Sequence, residues 1–467
     1  MRRTWLAAGL LLVGCTAPAA LPTTSPPTTP AGTGPATSSA GTPSRSPTPS
    51  STPPKHRMPV ALAVHATHPV LDVTAAAARA IVADATGPVI IEGMRFTAVG
   101  ADLDRVRGSR SVIAAVPAGE VDETVRVLTV DGRHPLRDVE SYPLTADSDR
   151  PVGEVTTITI AGDIMLTRRV GQAHRDDPAA PLRPYAKRLA AAEITVGNLE
   201  STLSTDGEPT QGGDSFGADP EILAGLEVAG FDLVSLANNH VGDYGRAAML
   251  QTFAELDDSD VGWFGAGPDL ERARQPAVIT DGKIKIGFVG TESIGETPAA
   301  TGSRPGTNRL NMPPRTGPLD RAALDRISGD LRRLAEQVDL VIVVPHWGTQ
   351  YTHVPEQSQR QAARAFAEAG ADLVIGGHPH WVQGWERFGD TTVVHSLGNF
   401  VFDMDFQTKT RDGILVEIVA WDGEVKAVEP VPYRIDDAFT PRPASQSRAA
   451  SILADIAEHS RGPFALP

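Results

Sequence analysis

The chain is 467 residues long, 41% hydrophobic and 21% charged, which is ordinary for folded protein and more than one average domain requires. It carries 42 Lys and Arg against 57 Asp and Glu, yet residues 1–57 hold Arg2, Arg3, Arg45, Lys55 and Arg57 and no acid, so the body beyond them has a net charge of −20. Such a body repels nucleic acid and anionic lipid, and no Lys/Arg run offers a local exception, so nucleic acid is not an expected partner.

Cys15 is the only cysteine, which rules out an intrachain disulfide. Arg2 and Arg3 precede a short apolar run from Trp5 to Val13, and the run ends in Leu12-Val13-Gly14-Cys15. A basic start, an apolar stretch too short to span a bilayer and a small residue before the cut make a bacterial lipoprotein signal over residues 1–15, with Cys15 as the lipidated residue. The pair Arg2-Arg3 is also a weaker twin-arginine cue. A diacylglyceryl anchor there implies the outer face of the cytoplasmic membrane, in the cell envelope. Residues 16–57 are almost wholly Ser, Thr, Pro, Ala and Gly. This composition buries too little to order itself and reads as a tether with a reach on the order of 100 Å.

Residues 58–150 read as a small α+β accessory domain. Strands are expected at Pro59–Val64, Val112–Val116 and Val125–Val130, and a helix over Val73–Ala85. The runs His68-Pro69-Val70-Leu71-Asp72-Val73-Thr74 and Val127-Leu128-Thr129-Val130-Asp131-Gly132, with Tyr142-Pro143-Leu144 later, resemble a piece of periplasmic phosphate-binding-type proteins. The stretch is too short for a complete two-lobed binder.

From residue 151 to 435 apolar strands alternate with helical patterns, as in a layered α/β fold. Strands are expected at Thr156–Ala161, Leu233–Leu236, Ile284–Val289, Leu340–Val344, Leu373–Ile375 and Thr392–His395. One helix is marked by Pro355 at its first turn, by Ala362, Ala363, Phe366 and Ala367 on one face, and by Gly370 as its stop. Residues 436–467 read as a C-terminal tail.

Polar residues follow these strands, where α/β folds gather ligand-binding groups. Asp163 follows the first strand in Gly162-Asp163-Ile164-Met165-Leu166. In Asn198-Leu199-Glu200 the two polar side chains share one side of an extended segment. Leu236-Ala237-Asn238-Asn239-His240 offers an amide oxygen beside an imidazole. His346-Trp347-Gly348 and Gly377-His378-Pro379-His380 add three imidazoles at two strand ends. Asp163, Glu200, Asn239, His346, His378 and His380 thus make a mixed oxygen and nitrogen set suited to Mn, Zn or Fe, able to hold two divalent ions about an activated water. Arg168 and Arg169 follow the first motif and are candidates to bind an anionic substrate, or equally a solvated helix start. Asn399 and Asp403 could orient the site or simply shape a turn.

In order, these motifs, with Ser396-Leu397-Gly398-Asn399-Phe400 after them, resemble the CapA family, a metallophosphatase-related group named for capsule and poly-gamma-glutamate synthesis. The resemblance covers about residues 155–405. It implies a four-layer α/β/β/α sandwich, the six residues above as ligands, and His240 as proton donor beside the leaving group. Three positions depart from the pattern. Met165 stands where phosphatases have a histidine, Glu200 where they have a bridging aspartate, and Gln350 where many CapA-like proteins have Glu. The first two leave a mononuclear site open.

The expected function is therefore an exported lipoprotein for capsule or poly-gamma-glutamate biosynthesis. Its metal-dependent, hydrolase-like site would act on a phosphoester or an anionic envelope polymer. The alternative is a noncatalytic assembly or export factor within a polymer-synthesis complex, and a solute sensor using residues 58–150 ranks last.

Overall fold

A computed structural model describes residues 56–466 apart from 70, 71, 85 and 205; Cys15 and nearly all of the tether lie outside them. The accessory unit begins with strand His56–His65, which lies between Val112–Pro117 and Val125–Val127, and Met94–Val99 and Thr86–Ile91 extend the sheet. Its helix runs Ala75–Ala83, where the Thr74 side chain accepts from Ala77 N and caps the first turn.

The larger unit has two sheets face to face. In the first, Gly262–Phe264, Leu233–Ser235, Ile194–Leu199 and Val155–Ile164 run parallel, and a hairpin of Asp412–Trp421 and Glu424–Ile435 continues the sheet antiparallel. In the second, Ile284–Glu292, Leu340–His346, Leu373–Ile375 and Thr391–Val394 run parallel between antiparallel edges Ala277–Asp281 and Trp385–Phe388. Parallel strands buried on both faces read as unbroken apolar runs, which is why Leu340–Val344 and Leu373–Ile375 were visible in the sequence.

Three cores hold the layers together. Ile158, Ile160 and Val196 of the first sheet meet Ile286, Phe288 and Ile342 of the second. Tyr185, Leu226 and Phe253 from helices cover the outer face of the first sheet. Leu331 and Phe366 cover the outer face of the second, against Val341 and Val374. The result is the expected four-layer α/β/β/α sandwich. The marked helix spans Gln357–Glu368, with Glu356 as its cap, so Pro355 precedes the helix instead of opening it. Segment 436–467, read as a tail, contributes edge strand Pro441–Pro443 and helix Gln446–His459, whose Ile452, Leu453 and Ile456 enter the inter-sheet core.

The long hairpin extends past the sandwich and docks the accessory unit. Val419, Trp421 and Ala427 share a core with Met58, Ala61 and Val116, and Trp421 Nε1 donates to Leu136 O at 2.9 Å. Polar pairs reinforce the contact: buried His134 Nε2 meets Glu429 at 3.1 Å, and half-buried Arg137 meets Glu417 at 2.7 Å. No helix among the described residues is long and apolar enough to cross a membrane.

Candidate metal centre

The carboxyl ends of the parallel strands in both sheets converge on one buried cluster. Asp163 ends the first strand of the sandwich, Asn198 and Glu200 end the next, and the 236–243 loop follows Leu233–Ser235. His346 ends a strand of the second sheet, and the loop after Leu373–Ile375 carries His378 and His380. All six expected ligands are at most 3% exposed.

Close backbone approach makes this convergence feasible. A Cβ on Gly377 would stand 2.6 Å from Asp163 Oδ1, and one on Gly162 would stand 2.0 Å from Gly398 O. His378 and His380 adopt left-handed φ values of 92° and 57°, a strained conformation that clusters at binding sites.

The donor atoms fall into two overlapping groups. Asp163, Glu200 and His346 place one ligand atom each within 4.8 Å of one another, and so do Glu200, His378 and His380. Glu200 belongs to both. Asn239 Oδ1 lies 2.9 Å from His346 Nε2, and His346 Nε2 is 3.6 Å from Glu200 Oε1. Asn198, whose shared side with Glu200 the spacing foretold, donates to Asp163 Oδ1 at 2.8 Å and approaches His346 Nδ1 at 3.3 Å.

Electrostatics are severe because the site is buried. Burial, with Asp163 and Asp243 nearby, pushes the Glu200 carboxyl well above the usual carboxylate range. Burial also lowers the imidazole of His346 to about 3 and takes His378 well below its ordinary value. Burial opposes ionisation of Asp163 too, but contacts from His380, His346 and Asn198 outweigh it and keep that carboxyl below its usual value. The imidazoles of His346 and His378 are therefore neutral and ready to ligate at neutral pH.

His240 lies beside the cluster with Nε2 3.7 Å from Glu200 Oε1. Its Nδ1 meets Asp243 Oδ2 at 2.7 Å, and its ring stacks on Phe216 with centroids 3.7 Å apart. Asp243 also accepts from Phe216 N at 2.7 Å and from Gln211 Nε2 at 2.5 Å. Asn399 orients a candidate ligand: His380 Nδ1 donates to its Oδ1 at 2.8 Å, which leaves Nε2 for a metal. Asp403 pairs with Arg168, whose guanidinium lies 4.6 Å over the Phe216 ring, and Arg169 pairs with Asp405 at 2.8 Å. Both arginines thus already hold carboxylates of the chain itself. Met165 is fully buried in the apolar core, with its sulfur 3.3 Å from Thr167 N.

Motif reading missed Gln211, Phe216 and Glu296 as neighbours of the site, and gave Asp243 no role. Asp243 had a usable signal, an acid three residues after His240. The others come from loops with no local pattern. At the rim, Tyr351 faces the His380 ring at 6.1 Å and the 60% exposed Phe406 at 5.5 Å.

The sequence matches the model of a family described as bacterial capsule synthesis protein PGA_cap over residues 157–404. It is 30% identical over 300 residues to capsule biosynthesis protein CapA of Bacillus anthracis, covering 63% of this chain and 71% of that one. It is 29% identical to the PGA biosynthesis protein CapA of Bacillus subtilis, covering 66% and 79%. A probable polyglutamine synthesis accessory protein of Mycobacterium tuberculosis is 25% identical, with 60% and 85% covered. The matched region takes in every motif of the buried cluster and more than half of the sequence, and the chain belongs to the PGA_cap family of bacterial capsule synthesis proteins.

Proposed function

We propose that this capsule-synthesis protein is a metal-dependent hydrolase acting on a phosphoester or an anionic polymer of the cell envelope, within poly-gamma-glutamate or capsule biosynthesis. One observation carries the reading. Both carboxylate oxygens of Glu200 and both ring nitrogens of His378 are buried without any hydrogen-bond partner. Unpaired buried polar atoms are costly, and each normally has a partner or an ion. The donor set fits divalent cations of the Mn, Zn or Fe type. Asp163, Glu200 and His346 would hold one, Glu200, His378 and His380 a second, and Asn239 would add an amide oxygen.

Such ions supply a water made nucleophilic at neutral pH and polarise the bond it attacks. The chain's own residues do the rest. Asp243 accepts from His240 Nδ1 and so fixes the ring, whose Nε2 points toward Glu200 and is placed to protonate the leaving oxygen. Phe216 covers one face of that ring and keeps bulk water off it. An anionic substrate would compete for Arg168 with Asp214, its looser partner at 3.4 Å, while Asp403 retains the opposite edge.

A second reading has one specific observation in its favour. Met165 sits in the apolar core where a phosphatase would place a ligand, which suits a noncatalytic assembly or export factor that keeps metal for rigidity. Elemental analysis of the purified chain, with a phosphomonoester and phosphodiester screen in added Mn, separates the two. About two equivalents of metal, with turnover lost but metal retained in His240→Ala, supports the hydrolase. Metal without turnover moves the assignment to the assembly factor, and no metal after reconstitution removes both. We further propose lipidation at Cys15 and a place on the outer face of the cytoplasmic membrane. The Leu12-Val13-Gly14-Cys15 run supports this, and release of Cys15→Ser from the membrane fraction tests it.

A further inference from the structure

Asn239 differs from the other candidate ligands because its two ends are chemically opposite. Its Oδ1 can face a cation, whereas its NH2 group can only donate hydrogen bonds. The value of Asn239 therefore depends on what fixes its amide, and that information lies on a different loop. Asn239 Nδ2 donates to Glu296 Oε2 at 2.8 Å, while Asn239 Oδ1 points to His346 Nε2 at 2.9 Å. A carboxylate accepts and does not donate, so a flipped amide would set oxygen against oxygen.

The Glu296 loop is built for this contact. Glu296 has a left-handed φ of 67°, and Gly295 before it has one of 97°. A residue with a side chain stays in that region only when its surroundings over-determine it. Here the buried Glu292 carboxylate takes Ile294 N at 2.5 Å and Gly295 N at 2.8 Å. Thr297 Oγ1 takes Gly242 N at 3.0 Å, and Arg309 donates to Thr297 O. Arg315 pins the outer oxygen of Glu296 at 2.5 Å, which leaves the inner one for Asn239. The loop is thereby tied to both the second sheet and the 238–243 loop.

We infer that Glu296 is a positioning residue: it locks the Asn239 amide with Oδ1 toward the His346 side of the cluster, and so makes Asn239 an oxygen ligand. This rests on the metal-centre reading above, and the test separates the two.

The experiment is Mn binding, with the metal alone as probe, to the purified full chain and four variants. The wild-type isotherm tests the metal reading; failure to bind Mn overturns that reading and this inference with it. With two equivalents bound, Glu296→Ala should weaken one of them by about 10–100-fold, the usual effect of losing a partner that orients a ligand, and spare the other. Asn239→Asp alone should bind more weakly than wild type, since it sets a second carboxylate oxygen against Glu296 Oε2 where the amide NH2 stood. The double variant Glu296→Ala/Asn239→Asp removes that repulsion and should bind more tightly than Glu296→Ala, since the two oxygens of Asp are equivalent and need no orientation. Glu296→Gln, which still offers an acceptor to Asn239, should retain most of the affinity. An unchanged isotherm in Glu296→Ala overturns the inference. So does a double variant as weak as Glu296→Ala, because the loop would then matter for shape and not for amide direction. Glu296→Gln as weak as Glu296→Ala would assign the effect to the Arg315 ion pair, and overturns it equally.

Discussion

Replacing Asp243 with Asn tests the proton-donor role at a residue outside the expected ligand set. Asp243 accepts three hydrogen bonds: from His240 Nδ1 and Phe216 N, each at 2.7 Å, and from Gln211 Nε2 at 2.5 Å. Phe216 N and His240 Nδ1 share Asp243 Oδ2, so in Asp243→Asn an amide oxygen there keeps both without the carboxylate charge, whereas an NH2 group there loses both. Either way His240 loses its charge-assisted bond to a carboxylate, worth about 1.5–3 kcal/mol. At 1.36 kcal/mol per tenfold, proton donation falls by roughly 10- to 150-fold, near the lower end of what general acids contribute. The loss should depend on the leaving group. An alkoxide must be protonated as it departs, whereas a nitrophenolate leaves without help. Asp243→Asn should therefore slow an alkyl phosphoester by about 10²-fold and a nitrophenyl ester by less than about threefold, with metal content unchanged. The assay is kcat on matched alkyl and nitrophenyl esters, with metal measured on the same samples. Equal losses on both esters would refute the proton-donor argument, and loss of metal would show that Asp243 supports the centre itself.

Three further outcomes follow from the geometry. His65 is held by burial to about 4, between Thr67 Oγ1 and Ala465 O. Because the unfolded chain binds its proton near 6.5 and the folded chain only near 4, stability should fall by roughly 3 kcal/mol as pH drops through that window, and be flat for this group outside it. Urea unfolding at several pH values should show a shallower slope in His65→Gln. Trp421→Ala should cost about 3–5 kcal/mol, since a 5% exposed indole and its bond to Leu136 O join the two units. Its reading is a lowered denaturant midpoint with early proteolysis near residue 150, and an unaltered midpoint would count against the hairpin as the joint. Gly377→Ala places a methyl 2.6 Å from Asp163 Oδ1, so bound metal should fall while the helical signal stays native; full metal occupancy would show that this approach is not needed.

What the sequence revealed and concealed follows from where each signal is stored. Strand ends bearing Asp163, His346 and the Gly376–His380 loop were legible because apolar runs and the polar residues after them are contiguous. Asn198 was legible in part, since its spacing from Glu200 placed both on one side, though not against Asp163. The hairpin of Asp412–Trp421 and Glu424–Ile435, the longest feature of the first sheet, was not recognised as strands. Its apolar run is interrupted by Glu417, Lys426 and Glu429, and by Pro430 and Pro432, which ordinarily signal solvent or a break. In the fold those charges are not solvated. Glu417 meets Arg137 and Arg188, Glu429 meets His134, and Lys426 donates to Gly119 O. Their partners are as far as 307 residues away, so the polar pattern that disguised the strands is the pattern that docks the accessory unit. The same separation explains Glu296. A ligand can be read from its own motif, but the group that decides which way an amide ligand points is fixed by loop geometry 57 residues away. Sequence motifs therefore identify the candidate donors of this centre, whereas their orientation, on which affinity depends, is a property of the fold.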